Sequence, residues 1–238
     1  MICFLTSRTE IKATGEVNPA NGFIDELMRF APDPCRVLHI CSDPTTHGIM
    51  DAKAAEVRSS FERIGFVFTS YLILDGRNEE RASELIADAD ILILSGGHVP
   101  TQNSFFHKIA LKELIKDYDG IIIGISAGSM NSAEVVYAQP EYEGEAVDPE
   151  YQRFLSGLGL TKTMLLPHYQ ELKDEILDGM RLFEDITFAD SIGRTFYAIP
   201  DGSYLFIDGK REELRGEAYR IEDGSMTRIA SDGEIVVL

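Results

Sequence analysis

Positive charge is scarce in this sequence. Twenty-two Lys and Arg stand against forty Asp and Glu, a formal net charge of -18 over 238 residues. Phosphate backbones are held through clustered Lys and Arg, and the absence of such a cluster argues against a nucleic-acid partner. The same deficit disfavours an anionic membrane surface. An acidic exterior favours solubility and by itself indicates no activity. A negatively charged substrate would need a local cation to overcome the overall field.

Cysteine is also rare. Cys3, Cys35 and Cys41 are an odd number without the spacing of a metal site. Cys3 and Cys41 fall in apolar, strand-like stretches, so buried and reduced thiols are expected. There is no His-Glu-x-x-His, no Cys-x-x-Cys pair and no phosphate-binding loop with a Lys, so neither a metal nor a cofactor is called for. No apolar run approaches the roughly 20 residues that span a bilayer. Arg8 and Glu10 around a short apolar run do not make a signal peptide. A cytoplasmic protein is expected, with one α/β domain over residues 1–238 as the simpler organisation.

What the chain does contain is short apolar runs alternating with amphipathic stretches. Residues 36–41, 91–94 and 120–124 read as strands that are apolar nearly throughout, and 66–74 as a β-branched and aromatic one. Helical periodicity marks 50–64, 79–87 and 103–116. Fully apolar strands separated by helices predict a mostly parallel, doubly wound sheet covered on both faces. From 138 to 159 the chain is acidic and turn-rich, with Pro140, Gly144 and Pro149, which predicts a surface excursion forming a lid or wall. Residues 164–167 resume a strand leading into His168, and 171–183 read as a helix. Extra strands are expected near 196–199, 204–207, 217–221 and 234–238, punctuated by four Asp-Gly pairs.

The strongest chemical signal is Gly124-Ile125-Ser126-Ala127-Gly128, between an apolar strand and a helix-compatible stretch from 127 to 136. A nucleophile on such a strand-to-helix turn stands exposed above the sheet, and its strained backbone needs small neighbours. The bland alternative is a tight turn with a buried, hydrogen-bonded serine. Gly96-Gly97, one βα unit earlier, is a natural second oxyanion donor, because backbone without side chains can aim a peptide N–H at the cleft. In parallel sheets both turns lie at the carboxyl end, where ligands bind.

A serine hydroxyl needs a base. Of the five histidines, His39 falls inside a strand and His107 on a helix, whereas His47, His98 and His168 stand at strand ends. His168 is favoured over His98 by position. The acid that orients the imidazole is open among Glu141, Asp148 and Asp201. No cysteine occupies the elbow, which excludes thiol-dependent amidotransferase chemistry there.

The series Gly96-Gly97, Gly124-Ile125-Ser126-Ala127-Gly128, Pro167-His168-Tyr169 and Pro200-Asp201-Gly202 resembles the peptidase E (aspartyl dipeptidase) family, related to cyanophycinase. The resemblance covers roughly residues 37–207. It implies a class I glutamine amidotransferase-like fold and a serine exopeptidase that cleaves dipeptides or short peptides, including those with N-terminal Asp, through an acyl-enzyme. It implies Ser126 as nucleophile, His168 as base, and Gly97 and Ala127 as oxyanion donors. The family's acid has been placed both after the elbow, near Glu141 here, and in the Pro-acid-Gly turn, which is Asp201 here. Asp201 is chosen, because a turn between strands holds a side chain more firmly. The chain departs from the family at Gly97-His98-Val99-Pro100-Thr101-Gln102, where Asn-Thr often follows the glycines, and in a longer stretch from 137 to 158. Both departures fall near the substrate pocket. An esterase or amidase with the same machinery, or a noncatalytic small-molecule-binding module, are the competing readings. A homodimer is compatible with a small cytoplasmic enzyme.

Overall fold

A computed structural model describes residues 1–238. Five parallel strands form its centre: β1 (Ile2–Thr6), β2 (Cys35–Ile40), β3 (Phe68–Leu74), β4 (Ile91–Leu94) and β5 (Ile121–Ile125). They lie in the order β1-β5-β4-β2-β3. Beyond β1 the sheet continues antiparallel through Tyr204–Asp208, Arg211–Arg215 and Ile235–Val237, making eight strands.

Alternation along each central strand divides the core in two. Phe4, Val37, Ile93 and Ile123 pack beneath α1 (Phe23–Phe30) and α2 (His47–Arg63), against Leu27 and Phe61. Leu5, Leu38, Leu92 and Ile122 turn to the opposite face, under α3 (Ala82–Asp88) and α4 (Val99–Lys108), against Leu85 and Phe105. Both faces are buried, which is why β4 and β5 carry no polar side chain. β3 lies at the edge and is only half-buried, with Leu72 exposed.

A second sheet of four strands runs in the order Ser225–Ala230, Ala218–Glu222, Thr195–Ala198, Met164–Leu166. Its last two strands are parallel, with Leu166 beside Ala198. The chain therefore leaves both at the same end, one exit leading to His168 and the other to Asp201.

Several sequence expectations need correction. The helix expected at 103–116 begins at Val99, with Pro100 in its first turn, and ends at Lys108. Ala110 then adopts φ 52°, and a separate turn, α5 (Leu111–Leu114), follows. The stretch from 127 to 136 is helical only in α6 (Ala127–Asn131). The Asn131 carbonyl accepts from Leu158 N–H, and Val135–Tyr137 pairs antiparallel with Phe154–Ser156. That pairing also gives the acidic excursion a strand of its own. The helix expected over 171–183 is absent. Tyr169–Leu172 makes one helical turn, Ile176–Leu177 and Met180–Arg181 form a hairpin, and Leu182–Thr187 is a π-helical turn. Asp178 and Gly179 both take positive φ, 53° and 80°, so this Asp-Gly pair turns the chain where the helix was expected. Arg211–Arg215 and Ser225–Ala230 are strands beyond those expected; in the first, Glu213 is buried and paired with Arg215, and in the second Arg228 faces solvent.

Candidate active site

The carboxyl ends of β1, β4 and β5 deliver Ser7, Ser95 and Ser126 to one region of the surface. Ser126 holds φ 51° and ψ -112°, a costly conformation for a residue with a Cβ. The turn is stitched to β1: Ser126 N–H donates to the Thr6 carbonyl at 3.0 Å, and Ser129 Oγ to the same oxygen at 2.7 Å. Thr6 Oγ1 returns a bond to the Gly124 carbonyl at 2.8 Å. A Cβ on Gly124 would stand 2.9 Å from Ser129 backbone atoms, so only glycine lets the helix start this close to the strand.

His168, itself at φ 61°, follows Met164–Leu166. Its Nε2 lies 2.9 Å from Ser126 Oγ and its Nδ1 2.8 Å from Asp201 Oδ1. With Nδ1 donating to the carboxylate, Nε2 is left to accept the serine hydroxyl proton. Burial works against the Asp201 charge. Hydrogen bonds from His168 and Ser7, and the nearby charges of His168 and Arg8, outweigh it and hold this carboxyl well below the ordinary carboxylate range.

Neither of the other acids considered from sequence contacts His168. Glu141 receives Val99 N–H at 3.4 Å, and Asp148 receives Glu150 N–H at 2.9 Å. His98 faces the excursion, with Nε2 2.9 Å from Glu145 Oε1 and Nδ1 2.7 Å from Thr101 Oγ1. Glu145 Oε2 in turn accepts the backbone N–H groups of Glu141 and Tyr142, so His98 anchors that loop beside the Gly96-Gly97 turn. His47 bonds the Pro44 carbonyl, and His107, exposed, the Ser156 carbonyl. His39 is buried against the Tyr71 hydroxyl, and burial lowers its pKa to about 4.

Gly97 N–H meets no acceptor in the chain. Its α-carbon packs on Ser42, where a Cβ would overlap the serine side chain. Ala127 begins α6, where backbone N–H groups have no helical partner. A buried amide network braces the two turns. Gln102 Nε2 donates to the Ser95 carbonyl at 2.6 Å, and Asn131 Nδ2 to Gln102 Oε1 at 3.0 Å. Gln102 belongs to the segment in which the sequence departs from the family pattern.

Sequence reasoning missed Ser7 and Arg8. Ser7 Oγ donates to Asp201 Oδ1 at 2.6 Å, and Arg8 Nε to Asp201 Oδ2 at 2.9 Å. The only local signal is that they follow an apolar strand in a chain whose strands are parallel, so they stand at the ligand-binding end.

Two cavities meet at Ser126 and His168. One of about 750 Å³ is lined by Arg8, Lys12, Lys53 and Arg63 among others; one of about 290 Å³ carries Met130, Pro140, Leu172, Leu177 and Leu182.

A hydroxyl, an imidazole and a sheltered carboxylate in hydrogen-bonded series, above a doubly wound sheet, define the class of α/β serine hydrolases. Within that class, the model of peptidase family S51 matches residues 3–215, and the chain belongs to this family of serine peptidases, the peptidase E family. Among solved structures it is similar to a peptidase from an acI-B1 Actinobacterium, with TM-score 0.69 and 15% identity, covering 100% of this chain and 96% of that one. It is also similar to a protein from Listeria monocytogenes EGD-e described as a candidate peptidase E, with TM-score 0.61 and 16% identity, covering 96% and 98%. No curated protein matches the sequence. No helix is long and apolar enough to cross a membrane.

Proposed function

We propose that the protein is an exopeptidase that hydrolyses dipeptides or short peptides through an acyl-enzyme on Ser126. The observation that carries this reading is the continuous hydrogen-bonded series of Ser126, His168 and Asp201, at 2.9 and 2.8 Å. His168 Nε2 takes the hydroxyl proton as Ser126 Oγ attacks the scissile carbonyl, and Asp201 stabilises the imidazolium that forms. The amides of Gly97 and Ala127 receive the oxyanion. Collapse of the tetrahedral species breaks the C–N bond, and the proton on Nε2 passes to the departing amine. Water then attacks the ester as Nε2 takes its proton, and collapse breaks the acyl–Oγ bond, the Nε2 proton returning to Ser126 as the acid leaves.

A substrate with N-terminal Asp fits the larger cavity. Its lining holds four basic side chains in a chain of net charge -18, and Lys53 and Arg63 have no carboxylate partner. Lys53 Nζ lies 3.4 Å from the Gly96 carbonyl, next to the oxyanion turn. The three unpaired, buried cysteines favour a cytoplasmic setting.

The test compares wild type and Ser126→Ala on Asp-X dipeptides, neutral dipeptides and small esters. Loss of about 10⁴-fold or more in kcat/KM with an unchanged melting temperature supports the nucleophile. Hydrolysis that survives the substitution sinks it, and turnover of esters with none of any peptide would replace the peptidase reading with an esterase.

A further inference from the structure

The segment that leaves β1 grips the carboxylate behind the imidazole on both of its oxygens. Ser7 Oγ donates to Asp201 Oδ1 at 2.6 Å and accepts the backbone N–H of His168 at 2.8 Å. One hydroxyl thus holds the acid and the positive-φ backbone of the base. Arg8 Nε donates to Asp201 Oδ2 at 2.9 Å. Farther out, Arg8 Nη2 meets Glu171 Oε2 at 3.4 Å, and Lys12 Nζ meets Glu171 Oε1 at 2.9 Å. The side chains of Arg8 and Asp201 are 27% and 16% exposed, so their bond is partly sheltered from competing water.

Two consequences follow for His168. With Oδ2 clamped by Arg8, the carboxylate cannot swing, and Oδ1 stays opposite Nδ1. The guanidinium charge also sits against the oxygen that His168 does not use, which helps to hold Asp201 ionised beside the imidazole. Behind Arg8, Glu171 and Lys12 oppose each other. Around the larger cavity, Lys53 and Arg63 face Glu10 and Glu56, and Glu141 and Glu175 stand across the smaller one. Arg8 is the only cation among them in direct contact with Asp201.

We propose that Arg8 is a positioning residue of this site: it fixes Asp201 for His168, while Ser7 ties the two together. The proposal rests on the reading of Ser126, His168 and Asp201 as the hydrolytic centre.

The experiment records kcat and KM separately for wild type, Arg8→Met and Arg8→Lys on a neutral dipeptide, with Ser126→Ala alongside. Arg8→Met should lose about tenfold in kcat with KM unchanged, the worth of one charge-assisted bond. Arg8→Lys restores a charged donor to Asp201 and should recover most of that loss. The low-field NMR resonance of the His168 Nδ1 proton, assigned through His168→Gln, reads the bond to Asp201 without any substrate and should broaden or vanish in Arg8→Met. A kcat and an Nδ1 resonance unchanged in Arg8→Met overturn the proposal. Hydrolysis that persists in Ser126→Ala overturns the nucleophile reading instead, and the resonance still judges Arg8.

Discussion

Gly128 lies directly against the carbonyl oxygen of Leu94, with no room for a methyl group between them. The elbow helix thereby rests on the strand that carries the Gly96-Gly97 turn. Gly128→Ala should force the two apart, at a cost of about 2 kcal/mol typical of overpacking. For a chain of this length that is a fall of roughly 4–8 °C in melting temperature. Activity should fall further than stability, since the displaced groups are the Ser126 elbow and the Gly96-Gly97 turn beside it. A melt coincident with wild type would show that the contact yields freely.

Ser126 provides the opposite case. Its φ of 51° with ψ -112° is easy only for glycine. Ser126→Ala keeps the strain and Ser126→Gly removes it, so the glycine variant should be the more stable of the two by about 1 kcal/mol. Calorimetry of the pair measures the difference, and an alanine variant that melts later would mean the turn stores no strain.

Acid should destabilise the protein in two separable windows. His39 is buried uncharged with its pKa lowered to about 4, whereas in the unfolded chain it titrates near 6.5. The unfolded state therefore binds the extra proton first, and stability falls as pH drops from about 6.5 toward 4. Asp201 has a folded pKa below its unfolded value of about 3.9, so its stabilisation is present above that value and is lost at lower pH. Urea midpoints against pH should flatten between 6.5 and 4 in His39→Phe and below about 4 in Asp201→Asn. Parallel curves for wild type and His39→Phe would contradict the first window.

The three thiols should be inert in the folded state. Burial pushes Cys3 and Cys41 up to about 12 and Cys35 up to about 11, leaving almost no thiolate at neutral pH. Ellman's reagent at pH 8 should find essentially none in the native protein and three per chain in denaturant. Rapid reaction of one equivalent in the native state would expose a thiol that the fold leaves open.

The sequence carried the central sheet well, because Ile91–Leu94 and Ile121–Ile125 are buried on both faces and announce it by unbroken apolar runs. The elbow was legible for a related reason: Gly124 and Gly128 are required by contacts within one βαβ crossing, so local pattern and tertiary need coincide. His168 and Asp201 were nameable as residues at strand ends, but their meeting depends on two short strands running parallel, which no local spacing encodes. The helix expected over 171–183 gives way to a two-residue turn at Asp178 and Gly179, where two positive-φ residues reverse the chain. Ser7 and Arg8 were invisible because their partner is 194 and 193 residues away.

That distance has a consequence for the order in which the molecule comes together. β1 precedes every other strand, yet it sits between β5 and Tyr204–Asp208. Joining ends so remote must first offset a large loop entropy, which makes the junction a late event in folding. A ribosome has to release some two hundred residues before the imidazole can acquire its carboxylate. Until that length has emerged, Ser126 stands without the completed hydrogen-bonded series.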